Sequence, residues 1–158
     1  MKSKAAFIPV FLLSSLLITA QAQTPAAVPT TWNNARLANA TYVILAPQML
    51  GNPNLVGDSD RGSILDAMRR DSGNALKRHY PAATIGNDLN NTHAIRVTPV
   101  MVTPSSLLPW LTLTARLDFA LPEGDRVTLT QDFGMWTVWQ HQAEAANYVY
   151  DQLAQRLP

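Results

Sequence analysis

From Trp110 to Phe133 the chain alternates apolar and polar residues with a period of two. Leu111, Leu113, Ala115, Leu117 and Phe119 fall on one side, and Thr112, Thr114, Arg116 and Asp118 on the other. After Pro122, Gly124 and Asp125, the residues Val127, Leu129, Gln131 and Phe133 alternate with Thr128, Thr130 and Asp132. This period is that of a half-buried β-strand. Leu-Pro-Glu-Gly-Asp has the chemistry of a turn, so the pattern predicts a long antiparallel hairpin with one polar face.

Upstream, Thr41-Tyr42-Val43-Ile44-Leu45-Ala46 is a dense β-branched and aromatic run ended by Pro47. Apolar residues on both of its faces predict a central strand. Gln48–Gly62 carries Gly51, Pro53, Gly57 and Gly62 and reads as a loop, either a functional surface or locally mobile. A helix is predicted from Asp60 or Ser63 to His79, because Ile64, Leu65, Met68, Ala75 and Leu76 recur at helical spacing. Asp60 is its expected cap, Lys77 and Arg78 suit its C-terminal dipole, Pro81 stops it, and Gly73 is a weak point inside it. From His93, Ile95 and Val97 alternate with Arg96 and Thr98, but Pro99 and Pro104 argue for an edge strand or a break. The last element is read as one helix from about Thr137 to Leu157, with Val138, Ala145, Ala146, Val149 and Leu153 on its apolar stripe. These elements predict an α+β fold of order β-α-β-β-β-α: a two-layer mixed sheet with two helices on one face.

The N-terminus has a different pattern. Lys2 and Lys4 precede an apolar stretch interrupted by Pro9, and Ala20-Gln21-Ala22 supplies small residues before a cleavage site. Residues 1–22 therefore read as a secretory signal peptide, 23–40 as a flexible lead, and 41–158 as one α/β domain. No later segment has the length of a transmembrane helix. A periplasmic or secreted product is expected.

An apolar fraction of 47% in 158 residues suffices for a core, and Cys 0 excludes thiol chemistry and thiolate metal sites. Loss of Lys2 and Lys4 takes the formal charge from +1 to −1. That balance argues against nucleic acid as a partner, even though Arg69, Arg70, Lys77 and Arg78 cluster on the first helix.

Candidate chemistry is sparse. His79, His93 and His141 lie in no metal-binding spacing. Asn52, Asn54, Asp58 and Asp60 offer oxygens to a cation, but the order and terminal glutamate of an EF-hand are missing, so no metal is assigned. No phosphate-binding glycine motif is present and no cofactor is expected. Asp118 and Asp132 share the polar phase of the hairpin and could work with His141 and Glu144 in acid–base hydrolysis. Trp136 and Trp139, where the last strand meets the last helix, read as junction packing or as a platform for a partner. Trp32 reads as a cover for an apolar edge or a stacking surface.

The arrangement of TYVILAP (Thr41 to Pro47), the DRGSILDAMRRDSGNALKRHYP helix, the Leu111 to Phe133 hairpin and the final helix resembles small α/β modules of bacterial envelope proteins. The examples are the amino-terminal domain of the Tol–Pal propeller protein and the periplasmic domain of curli-secretion lipoproteins. The resemblance implies envelope assembly or protein contacts and transfers no active-site residue. The leading expectation is a noncatalytic periplasmic interaction or accessory module that binds an envelope protein or a glycan. Its candidate surface comprises Trp32, Asn52, Asn54, Asp58, Asp60, Arg69, Trp136 and Trp139. The alternative is an exported hydrolase of glycan, peptidoglycan or nucleic acid using Asp118, Asp132, His141 and Glu144.

Overall fold

A computed structural model of the chain describes residues 27–158. The expected signal peptide and the first residues of the expected lead lie outside the described residues. The lead's remaining part carries structure: Asn33 caps a helical turn, α1 (Asn34–Leu37), by accepting a hydrogen bond from the Arg36 amide. Leu37 is fully buried, and Tyr42 Oη donates to its carbonyl at 2.8 Å. Burial, which disfavours the phenolate, pushes the Tyr42 hydroxyl pKa well above its ordinary range.

The fold is α+β, built on an open mixed sheet. Its strands are β1 (Thr41–Ile44), β2 (Gln48–Leu50), β3 (Thr84–Gly86), β4 (Ile95–Val102), β5 (Thr112–Ala120) and β6 (Arg126–Gly134). The order is β3-β1-β4-β5-β6, with β2 also paired to β4. Pairing is parallel among β1, β2, β3 and β4 and antiparallel along β4-β5-β6. Two helices, α2 (Asp58–His79) and α4 (Ala145–Ala154), cover one face.

The hairpin has the phase its sequence predicts. Leu113, Ala115, Leu117 and Phe119 are buried beneath the helices, while Thr112 is exposed. The LPEGD turn closes through Gly124, at φ 97°, and a 2.8 Å bond from the Leu121 amide to the Asp125 carbonyl.

Three expectations are corrected. First, β4 is not an edge strand: β1 and β2 flank it on one side and β5 on the other. Pro99 survives there because of where its missing N–H falls. Leu45 N donates to Val97 O, so the edge of β4 facing β1 carries the polar groups of Val97 and, two residues on, of Pro99. β1 ends opposite Val97 and β2 begins opposite Val100, so Pro99 falls in the gap between the two ladders: the bond it cannot make is the next one, to the Leu45 carbonyl, and the β1 ladder stops there.

Second, the expected Gln48–Gly62 loop is shorter. Its start forms β2, and its end belongs to α2, for which Gly57 is the N-cap. Asp60, the expected cap, lies in the first turn with Asp58; both suit the positive end of the helix dipole.

Third, the last helix is broken. α3 (Met135–His141) leads into a 3-10 turn (Gln142–Glu144) and then α4, with Gln142 at φ 42°. Val138 and Val149 are about three turns apart, so one apolar stripe runs through the break and periodicity alone does not register it. The break lets α3 cover the end of the sheet while α4 packs along α2. Arg78 bridges that helix pair, donating to Asp151 Oδ1 at 2.7 Å and to Asn147 Oδ1 at 2.5 Å.

Candidate functional site

The sheet register draws separate loops to one pole of the molecule. Leu50 pairs with Val102, and the Thr103 amide and hydroxyl both donate to the Leu50 carbonyl, at 2.9 and 3.0 Å. Asn52 Nδ2 donates to Ser105 O at 2.8 Å, while its Oδ1 accepts from the Asn54 amide at 3.0 Å. These bonds pin the β2–α2 loop to the β4–β5 loop. At the same pole Thr112 pairs with Gly134, and the Met135 amide donates to Leu111 O at 2.9 Å, which fixes the start of α3. Gly51, at φ 95°, packs against Thr103; a Cβ there would lie 2.3 Å from the Thr103 carbonyl oxygen.

A cleft of about 380 Å³ opens between these segments. Met49, Met101 and Leu113 come to it from the sheet, Ile64 from α2, and Met135 and Val138 from α3. Leu55 and Val56 of the β2–α2 loop form one lip, and Trp139 and Leu107 also line it. The polar lining side chains are Ser63, Thr103 and Gln142, and none of the lining residues is ionisable. Such a surface can desolvate an apolar group but has no side chain suited to moving a proton near neutral pH.

The cleft lies amid exposed apolar side chains. Trp110 is 75% exposed and Trp136 60%, and Leu50, Leu107, Leu108 and Trp139 are also exposed. All six belong to this pole, whereas large exposed apolar residues elsewhere among the described residues are Val28 and Leu89. Scattered single apolar residues are ordinary on a protein surface, whereas six gathered at one pole form a patch.

The sequence candidates distribute unevenly around this pole. Trp136 and Trp139 are there, as are Asn52 and Asn54, whose side chains shape the loop. Asp58 and Asp60 sit close by in the first turn of α2. Trp32 is at the opposite end of the sheet, half-buried with its ring edge-on to Phe119 at 4.9 Å. Arg69 lines a separate depression of α2 beside Ile85 and Gly86. The basic cluster around it divides into local tasks. Lys77 Nζ donates to the Pro81 and Ala83 carbonyls at 2.7 and 2.6 Å, and Arg70 Nε donates to the buried Asp71 at 2.8 Å.

The hydrolase candidates do not converge. Asp118 accepts from Thr128 Oγ1 at 2.8 Å, and Asp132 from Thr114 Oγ1 at 2.6 Å, both on the helix-free face. The register separates them by roughly 13 Å along the strands, beyond the spacing of paired glycosidase carboxylates. His141 stacks on Tyr148 at 3.7 Å, and Tyr148 meets Phe133 of the helix-covered core edge-on. Glu144 ends the 3-10 turn before α4. The sheet therefore stands between the two aspartates and the other two residues. Among the described residues no group of three or more His, Cys, Asp or Glu side chains is placed to hold a metal, and no helix is long and apolar enough to cross a membrane.

Sequence reading missed Leu107, Leu108 and Trp110 and the methionines of the cleft. The available signal was the apolar Leu107-Leu108-Pro109-Trp110 run in a segment too proline-rich to be a strand.

No protein-family model matches the chain, and no curated protein matches it. Among solved structures it is similar to an uncharacterized protein at 9% identity and a TM-score of 0.44, covering 74% of this chain and 93% of that one. A second is a neuraminyllactose-binding hemagglutinin homolog from Helicobacter pylori, at 11% identity and a TM-score of 0.47, covering 76% and 83%. A minor lipoprotein from Acinetobacter baumannii is similar at 12% identity and a TM-score of 0.32, covering 75% and 89%.

Proposed function

We propose that this chain is a noncatalytic interaction module of the bacterial cell envelope that takes an apolar segment of a partner protein into the cleft at its tryptophan-bearing pole. The observation that carries the reading is the combination of a concave, wholly uncharged lining with a rim of exposed Trp and Leu side chains. A sugar would need many directed hydrogen bonds, and the lining offers the side chains of Ser63, Thr103 and Gln142 for them. Apolar side chains would need only to displace water from Met49, Met101, Met135 and Val138. Periplasmic placement rests on the Met1–Ala22 pattern, and the resemblance to Tol–Pal and curli modules belongs with it.

The test uses a photo-crosslinking residue in place of Leu107, with capture from intact envelopes. A discrete crosslinked protein is expected, lost when Trp136 and Trp139 are both changed to Ala while the thermal midpoint stays within a few degrees. Truncating one anchoring tryptophan costs about 2 kcal/mol or more of binding, roughly thirtyfold in Kd. Equal capture by the double variant would overturn the reading.

A further inference from the structure

The face of the sheet away from the helices carries a second, chemically opposite site. Cross-strand register places Arg96 of β4, Ala120 of β5 and Arg126 of β6 in one row, so two guanidinium side chains flank a methyl group. Adjacent strands are about 4.8 Å apart, which sets the two arginine backbones roughly 10 Å from each other. The next row on this face is Thr98, Asp118 and Thr128, and beyond it Arg116 lies between Val100 and Thr130. Apart from Val100 and Thr130, these residues border a concavity of about 370 Å³.

Its charge is not balanced from within. Asp118 is engaged by Thr128 Oγ1 at 2.8 Å and by Arg116 Nη2 at 3.0 Å. Arg116 Nε is buried without a hydrogen-bond partner. Arg96 donates to the Leu89 carbonyl at 3.2 Å, and Arg126 makes no ion pair among the described residues. Three guanidinium groups against one carboxylate leave a local charge of +2, in a chain expected to be slightly acidic once its leader is removed. Guanidinium forks suit phosphate oxygens, a phosphate monoester carries about −1.5 to −2 near pH 7, and the Ala120 methyl leaves its approach open.

We infer that this cradle is a phosphate-binding site, recognising a phosphate group through Arg96 and Arg126 across Ala120, with Arg116 held behind them by Asp118. It is independent of the apolar cleft and lies on the opposite face of the sheet from the helices that wall that cleft.

The test titrates the full-length mature protein with inorganic phosphate and with glycerol phosphate, following arginine Nε–H signals by NMR against chloride at equal ionic strength. Saturable shifts of Arg96 and Arg126 are expected. Arg126→Gln should weaken binding at least tenfold. Ala120→Leu, which keeps every charge but fills the floor, should weaken it comparably, whereas Arg69→Gln should leave it unchanged. A parallel arm sediments the protein with phosphatidylglycerol or phosphatidylcholine vesicles. Binding to the former that Arg126→Gln abolishes makes the ligand a lipid headgroup, and a response to the free phosphates alone makes it a soluble phosphate. Identical shifts with chloride, titrations unchanged by both Arg126→Gln and Ala120→Leu, or vesicle binding that survives Arg126→Gln without any phosphate response would each overturn the inference.

Discussion

Replacing Gly73 by Ala should stabilise the protein. Gly73 is a buried residue in the middle of α2, where glycine costs the helix about 1 kcal/mol relative to alanine. A Cβ built there would meet Ile44 Cγ1 at 3.5 Å and Ile85 Cγ2 at 3.6 Å, which is ordinary van der Waals contact. The added methyl is thus buried without displacing a neighbour, contributing up to about 0.8 kcal/mol more. The net gain is about 1–2 kcal/mol, or roughly 3–8 °C in Tm for a chain of this size. Gly62 supplies the internal reference: it lies in the same helix, and a Cβ there meets nothing within 4 Å. Gly62→Ala should therefore gain only the propensity share, about 0.5–1 kcal/mol. Gly51→Ala should lose more than about 2 kcal/mol, since it combines a left-handed φ with a backbone clash against Thr103. Urea unfolding followed by circular dichroism measures all three at constant slope. A gain for Gly62→Ala that equals or exceeds that for Gly73→Ala would refute the packing of α2 on Ile44 and Ile85.

The other predictions probe the sheet, the buried hydroxyls and one ion pair. Leu113→Asp should cost about 3 kcal/mol or more, because Leu113 is 5% exposed beneath the helices, and Thr112→Asp far less; equal shifts in urea midpoint would contradict the strand phase. Tyr42→Phe should destabilise by about 1 kcal/mol by removing the hydroxyl's bond to the Leu37 carbonyl, which keeps only a 3.3 Å bond from the Ala40 amide, whereas Tyr150→Phe should be neutral or stabilising because the buried Tyr150 hydroxyl has no partner. Equal losses for the two tyrosines, by thermal melts at neutral pH, would count against these placements. Arg36, hydrogen-bonded to Glu123, holds that exposed carboxyl below its ordinary value of 4.5. A depressed folded-state pKa means that the contribution is present above 4.5 and lost as the pH falls below it, so the Tm difference between wild type and Glu123→Gln should shrink on acidification and in high salt; a difference that grows in acid would invert the sign.

What the sequence reveals depends on how far each determinant acts along the chain. The β5–β6 hairpin and α2 are legible because their patterns are long, local and one-sided: nine residues in each strand and 22 in the helix repeat one period against one solvent face. β2 and β3 are three residues each, too short for any period, and exist because β4 and β1 offer them partners. The same non-locality misled the reading of β4. Pro99 is tolerated in an interior strand because it falls between the end of the β1 ladder and the start of the β2 ladder, which is set by pairing and not by Pro99's own surroundings. The candidate site divides along this line. Trp136, Trp139 and the segment after Gln48 each stood out locally, through aromatic spacing and turn residues, but their meeting at one cleft required Leu50 to pair with Val102 and Thr112 with Gly134. Asp118 and Asp132 show the converse. Their shared phase placed them correctly on one face, yet a hairpin register pairs each with a threonine and holds the two carboxylates apart. Arg96 and Arg126 are 30 residues apart in sequence, and only the shared partner Ala120 makes them neighbours across a single strand. Period assigns a residue to a face, register assigns it to neighbours, and chemistry between side chains begins with the second.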